Sequence, residues 1–144
     1  MKSRRHPRIY YVGFIAQALF YIGQGINHFW HSGMEVRLMP THYAHPYALV
    51  IVSGVAEILG GVGLLVQRTR RLAAWGLVVL LLIYFDVHIF MLMHAEQFPS
   101  IPMWVLYLRI PLQFVFIGWA WAYTHRESDQ SLTPGEAKHV AGFL

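Results

Sequence analysis

The chain has 144 residues, of which 56% are hydrophobic and only 12% are charged, and its mean hydropathy is +0.43. This composition favours a membrane protein, because a soluble domain usually carries about twice that share of charge. The net charge of +4 is concentrated at the chain ends and in one loop, which points to membrane topology and away from a nucleic-acid partner, and the absence of cysteine excludes disulfides and thiolate chemistry.

Four apolar segments of about 20 residues follow one another along the chain. Helices of this length span a hydrocarbon core of about 30 Å, so the sequence predicts an all-α fold, a four-helix transmembrane bundle with up-down topology. The predicted parts are a basic cytoplasmic lead (1–8), a transmembrane domain (9–123) and a polar cytoplasmic tail (124–144). Within the domain, the predicted spans are about 9–30, 47–66, 72–93 and 102–123.

The connections between these segments differ in length and charge. The polar loop 31–46 is long for a hairpin and is predicted to fold back over the mouth of the bundle as a lid. The stretch 67–71 is predicted to be a tight basic turn, 94–101 a short loop, and Pro111 is predicted to break the fourth segment. A cleaved signal peptide competes with a membrane anchor for the first segment, but the length of that segment and its Gln17 and Gln24 favour the anchor.

Basic residues outside the spans are distributed unequally. Nine lie in the lead, the second loop and the tail, against one in the first loop: Lys2, Arg4, Arg5, Arg8, Arg68, Arg70, Arg71, Arg126 and Lys138 against Arg37. Because basic loops stay on the cytoplasmic side, both termini are predicted to be cytoplasmic.

The second span carries the residue that most needs explanation. Glu57 lies near the middle of an apolar helix, where a carboxylate is costly unless it is protonated or has a partner. Ser53, Glu57 and Gly60 share one helical face with Gly61 beside it, and small residues on such a face allow close helix packing. This pattern predicts a tightly packed helix with a buried carboxylate.

Polar groups on the other spans are the candidate partners of Glu57. In the first span Gln17, Gln24, His28 and His31 form a stripe on one face. Asp86 and His88 in the third span are two residues apart, so a regular helix directs them to nearly opposite sides. In the fourth span Arg109, with Gln113 one turn later, is the expected counter-ion of Glu57 or Asp86. Counted along the spans, His28, Asp86, His88 and Arg109 fall at similar depth in the outer half of the bundle, with Glu57 somewhat deeper.

Two interpretations of these groups remain open. They hold the helices together through interhelical hydrogen bonds, or they line a site for a ligand or a proton path. Six histidines in the outer half or its loops also leave a metal or haem site open, although no standard ligand spacing is present.

Several motifs together resemble the DoxX-like family of four-helix membrane proteins. They lie within residues 9–123 and are Gly25 to Phe29, Met39-Pro40, Ser53-Gly54-Val55-Ala56-Glu57-Ile58-Leu59-Gly60-Gly61, Thr69-Arg70-Arg71 and Arg109-Ile110-Pro111-Leu112-Gln113. One departure is Asp86-Val87-His88 after Phe85, where relatives have Pro-Ala-Asn. The resemblance implies a four-helix bundle in a bacterial inner membrane. Some relatives are linked to thiosulfate:quinone oxidoreduction and distant ones to assembly or trafficking of membrane proteins.

The leading hypothesis is an accessory subunit of a membrane redox system. It would bind a quinone or another small apolar ligand in an outward-facing polar cavity, with the lipid bilayer and a redox subunit as further partners. Glu57 and Arg109 are expected to form the central polar pair, and the full set of ligand-binding or proton-relay candidates is His28, Glu57, Asp86, His88, Arg109 and Gln113. The alternative is a non-enzymatic assembly factor whose glycine-rich second span docks a partner. The sequence identifies no catalytic residue, metal ligand or cofactor.

Overall fold

The computed structural model describes residues 8–125, and all regular structure in this range is helical. The elements are α1 (Arg8–Trp30), α2 (Ser32–Leu38), α3 (Pro46–Leu65), α4 (Arg70–Met93), a short 3-10 helix (Ala95–Gln97) and α5 (Met103–Trp121). Most of the predicted lead and tail, including Arg126 and Lys138, lies outside the described residues. The part of the topology prediction that rests on them stays a prediction.

Three helices of the described range, α3, α4 and α5, are long and apolar enough to cross a membrane. Their bounds agree with the predicted second, third and fourth spans to within about two residues. α1 occupies the first predicted span, and its role as a fourth membrane crossing stays a prediction.

Three local expectations are corrected by the structure. Residues 31–46 are not all loop, because α2 forms inside them, with Glu35 in its first turn and Arg37 in its last, where each charge complements the helix dipole. Pro111 does not break the last segment, because α5 runs through it; a membrane helix tolerates the one backbone hydrogen bond that proline removes. The basic turn is shorter than predicted, since α4 already begins at Arg70.

Helix α3 lies at the centre of the packing, against α1, α2 and α4. Its glycines bring the α1 and α3 backbones into contact: a Cβ atom added at Gly25 would lie 2.5 Å from the Gly54 carbonyl oxygen, and one at Gly61 would lie 2.7 Å from that of Ala18. Gly60 and Gly63 face α4, where an added Cβ atom would meet the side chains of Leu77 and Ala73. The chain's own helices therefore fill the glycine-rich face of α3, so it is not the free docking surface that the assembly hypothesis expected.

Arg70 ties the end of α3 to the start of α4. Its Nε atom donates a 2.8 Å hydrogen bond to the Leu64 carbonyl, and its guanidinium lies 3.9 Å from the centre of the Phe14 ring. The residue is only 9% exposed. Arg70 therefore satisfies one of the unpaired carbonyls at the end of α3, in addition to contributing charge to the turn.

Aromatic contacts show which helix ends lie together. The Tyr123 hydroxyl donates to the Tyr10 carbonyl at 3.4 Å, and the Trp75 and Trp121 rings lie 5.0 Å apart. The starts of α1 and α4 therefore lie beside the end of α5.

Two apolar clusters meet along α4. One, at the end that holds the start of α1, includes Phe14, Leu64 and Leu77, and the other is built from Met91, Phe98 and Leu106. Tyr84 packs on the first cluster and Val87 on the second. The polar residues described below lie near this junction.

The glycine contacts give a matched pair of variants. Gly25→Ala is expected to destabilise the protein by about 1–3 kcal/mol, because its methyl group forces α1 away from α3. Gly23→Ala is expected to be neutral or slightly stabilising, since no atom lies within 4 Å of its added Cβ and alanine is the better helix former. Thermal melting of the purified protein checks this, and equal melting temperatures for the two variants would contradict the proposed backbone contact.

Candidate functional site

A cavity of about 520 Å³ lies among the helices and is lined by residues from all five of them. Its walls are mainly apolar, as is usual for sites that take small molecules. The polar side chains that reach it are Tyr21, Gln24, His28, Glu35, Tyr43, Ser53, Glu57, Tyr84, His88, Arg109 and Gln113.

Glu57 lies on one wall of the cavity and is only 3% exposed. The Tyr84 hydroxyl donates a 2.9 Å hydrogen bond to its Oε1 atom, and His28 Nε2 lies 3.6 Å from its Oε2 atom. Oε2 itself accepts no hydrogen bond from the described residues. The carboxylate is therefore held at one oxygen, while the other faces the imidazole.

The contacts of His28 assign its tautomer. The Ser53 hydroxyl donates to the Val50 carbonyl at 2.9 Å, so it is free to accept from His28 Nδ1, which lies 3.0 Å away and also 3.1 Å from that carbonyl. Nδ1 therefore carries a hydrogen. Nε2, which faces Glu57, has a lone pair in the neutral imidazole and an N–H group in the protonated one.

With this tautomer, one proton is expected between His28 Nε2 and Glu57 Oε2. A neutral imidazole lone pair opposite a carboxylate oxygen would place two acceptors face to face. A single proton, on Glu57 Oε2 or on His28 Nε2, turns the same geometry into a favourable contact.

Residues of α4 and α5, among them His88, Arg109 and Gln113, line another part of the cavity. Arg109 Nη1 donates to the Met91 sulfur at 3.4 Å, and Glu35 of α2 lines the same cavity. Glu35 accepts a 3.3 Å hydrogen bond from the Asn27 side chain. His88 Nδ1 is buried and has no hydrogen-bond partner among the described residues. Gln113 Nε2 donates to the Leu81 carbonyl, which anchors α5 to α4.

The expected Glu57–Arg109 pair is wrong. Both residues line the cavity, but within the described range the ion pairs closer than 4.0 Å are His28–Glu57 and His42–Asp86. The partner of Glu57 comes from α1 because the glycine contacts bring that helix against α3.

Asp86 is the one predicted site residue that does not line the cavity. Its side chain is 47% exposed and accepts hydrogen bonds from the Tyr43 hydroxyl at 2.7 Å and from His42 Nε2 at 3.0 Å. The hydrogen bond to Asp86 also raises the pKa of Tyr43 above its ordinary value of 10.0, so the bond is present throughout the neutral range. Asp86 therefore anchors the 39–45 segment to α4.

The opposite directions of Asp86 and His88 follow from their spacing, as predicted. Five of the six candidates, His28, Glu57, His88, Arg109 and Gln113, line the cavity. The predicted polar stripe of the first span divides, because Gln24 lines the cavity while His31, which follows the end of α1, lies outside it and bonds Asn27.

Sequence reasoning did not select Glu35, Tyr43 or Tyr84. Tyr84 shares the α4 face of His88, so its position in the helix could have identified it. Glu35 and Tyr43 reach the cavity only because α2 and the segment after it fold back against the bundle, which no local pattern shows. No group of three metal-ligating side chains comes together in the part of the chain that the structure describes.

Comparison with known proteins identifies a family for this chain but no activity. The family model described as a domain of unknown function, DUF8561, matches residues 17–124. No curated protein and no solved structure matches the chain.

The anchoring role of Asp86 is testable. Asp86→Ala is expected to raise amide hydrogen exchange in residues 39–45 by about tenfold, because loss of its hydrogen bonds costs about 1.4 kcal/mol. Glu96→Ala removes another exposed carboxylate at the same end of α4 and is expected to leave that exchange unchanged. Exchange in 39–45 that stays at the wild-type rate in Asp86→Ala would show that other contacts hold the segment.

Proposed function

We propose that this chain, which belongs to the DUF8561 family, is an integral membrane protein that binds a quinone or another small lipid-soluble molecule in this cavity. It acts as an accessory subunit of a membrane redox system. One observation carries the proposal: a buried His28–Glu57 pair, arranged to share a proton, forms part of the wall of a largely apolar cavity of about 520 Å³.

The membrane arrangement belongs to the same proposal. The chain forms an up-down bundle of four transmembrane helices, α1, α3, α4 and α5, in a bacterial inner membrane with both termini cytoplasmic. The contacts of Tyr10 with Tyr123 and of Trp75 with Trp121 support this order of the helix ends. The resemblance to the DoxX-like family supports the same architecture.

A lipid-soluble ligand is favoured because the cavity reaches the apolar surface of the helices. Val52 on α3 and Ile83 on α4 line the cavity and are nevertheless 63% and 55% exposed. Both belong to helices apolar enough to cross a membrane, so the surface they share with the cavity faces hydrocarbon. A molecule dissolved in the bilayer can enter from the side without crossing water.

The chemistry of the pair suits a quinone. Reduction of a quinone to a quinol takes two electrons and two protons. The redox partner subunit supplies the two electrons, the His28–Glu57 pair gives one proton to the quinone oxygen that it faces, and the second proton reaches the other oxygen from water. The hydrogen bond from Tyr84 holds Glu57 toward His28 during this exchange.

The proposal is tested by replacing the proton-bearing carboxyl group. Glu57→Gln keeps the shape of the side chain and an oxygen for the Tyr84 hydroxyl, so the protein is expected to fold. Binding of decylubiquinone to protein in lipid nanodiscs is expected to weaken about tenfold, which corresponds to the loss of one hydrogen bond to the quinone.

Glu96→Gln is the matched control, since it neutralises an exposed carboxylate without touching the cavity. It is expected to bind like the wild type. Equal binding in the Glu57→Gln protein would contradict the proposal. A Glu57→Gln protein that fails to fold, beside a wild type that binds no quinone, would indicate that the pair is structural and favour the assembly hypothesis.

A further inference from the structure

We infer that the α4–α5 wall is a second binding subsite, in which Arg109 and His88 hold a neutral carbonyl oxygen of the ligand. This inference rests on the proposed function and specifies the head group that the cavity recognises. Its basis is hydrogen-bonding capacity that the described chain leaves unused on this wall.

Arg109 has more N–H donors than the residues around it have acceptors. A guanidinium carries five N–H groups, and the acceptor that the structure gives it is the Met91 sulfur, at 3.4 Å. A thioether is a weak acceptor. Among the described residues no carboxylate oxygen lies within 4.0 Å of Arg109. A cation inside an apolar bundle is costly unless its N–H groups find acceptors.

His88 contributes a second unpaired group at the same place. It lies one turn before Met91 on α4 and close enough to Arg109 for the two side chains to interact electrostatically. Its Nδ1 atom is buried without a hydrogen-bond partner in the described chain. Buried polar atoms are normally paired, and the His88 ring lines the cavity, so a rotation of the side chain toward the cavity would let a ligand oxygen supply the partner that Nδ1 lacks.

The surrounding charges select a neutral oxygen over a carboxylate. Glu35 of α2 and Glu57 of α3 line the same cavity as Arg109. A carboxylate ligand would add a third acidic group to a cavity wall with one permanent cation. A carbonyl oxygen accepts the N–H groups of Arg109 without that repulsion.

Together the two walls are complementary to a ligand that has an oxygen at each end of its head group. One oxygen meets Arg109 and His88, and the other meets the proton of the His28–Glu57 pair. A quinone ring, which carries two carbonyls, has this arrangement, and its apolar tail can leave through the exposed Val52–Ile83 side.

The test compares variants of the two walls. Arg109→Met is expected to weaken decylubiquinone binding in nanodiscs by 10-fold or more, whereas Arg37→Met, which removes an exposed cation on α2 outside the cavity, is expected to have no effect. Decylbenzene, which has the tail and no carbonyl, is expected to bind equally to all three proteins. The infrared carbonyl band of bound decylubiquinone is expected to lie below that of the free quinone and to return toward it in Arg109→Met.

Each outcome has a distinct meaning. If Arg109→Met binds decylubiquinone like the wild type while Glu57→Gln binds it weakly, the second subsite is wrong and the proposed function stands. If the wild type binds no quinone, both fail. Tighter binding of decanoic acid than of decylubiquinone, lost in Arg109→Met, would overturn the choice of a neutral oxygen. Should Arg109→Met not fold, His88→Phe gives the same test, and unchanged binding and an unchanged carbonyl band in that variant overturn the subsite.

Discussion

The constraint on which this structure depends is the burial of a carboxyl group in an apolar bundle. Glu57 lies where water cannot solvate it, so its hydrogen bonds and its charge must be satisfied by other helices. Tyr84 of α4 holds one oxygen and His28 of α1 faces the other. A single side chain thereby links three helices, α1, α3 and α4.

Close packing makes that arrangement available. Gly25 and Gly54 allow the α1 and α3 backbones to touch, and the contact brings the base of the His28 side chain within reach of Gly54. Ser53 and the Val50 carbonyl then fix the orientation of the imidazole. Packing and chemistry are therefore coupled: residues without side chains determine how near the imidazole comes to the carboxyl group.

The cavity stays open because the polar side chains that line it, Arg109 and Glu57, do not pair with each other. They line different parts of the cavity, and each is met by its own neighbours, the Met91 sulfur in one case and His28 and Tyr84 in the other. Two apolar clusters stabilise the helices on either side, so the bundle does not need a direct ion pair at this level. The space left between the walls is what a ligand can use.

Local sequence determined the helix positions, the apolar class of the chain and the burial of Glu57, because hydrophobic length and the cost of a charge in hydrocarbon act within one segment. It also determined that Asp86 and His88 diverge, since their two-residue spacing sets their angle on any regular helix. The tertiary structure alone decided that His28 and not Arg109 meets Glu57, that Asp86 holds the 39–45 segment, and that Glu35 reaches the cavity from α2. Those outcomes depend on how closely the helices approach and how each is rotated about its axis, and side chains far apart in the chain set both.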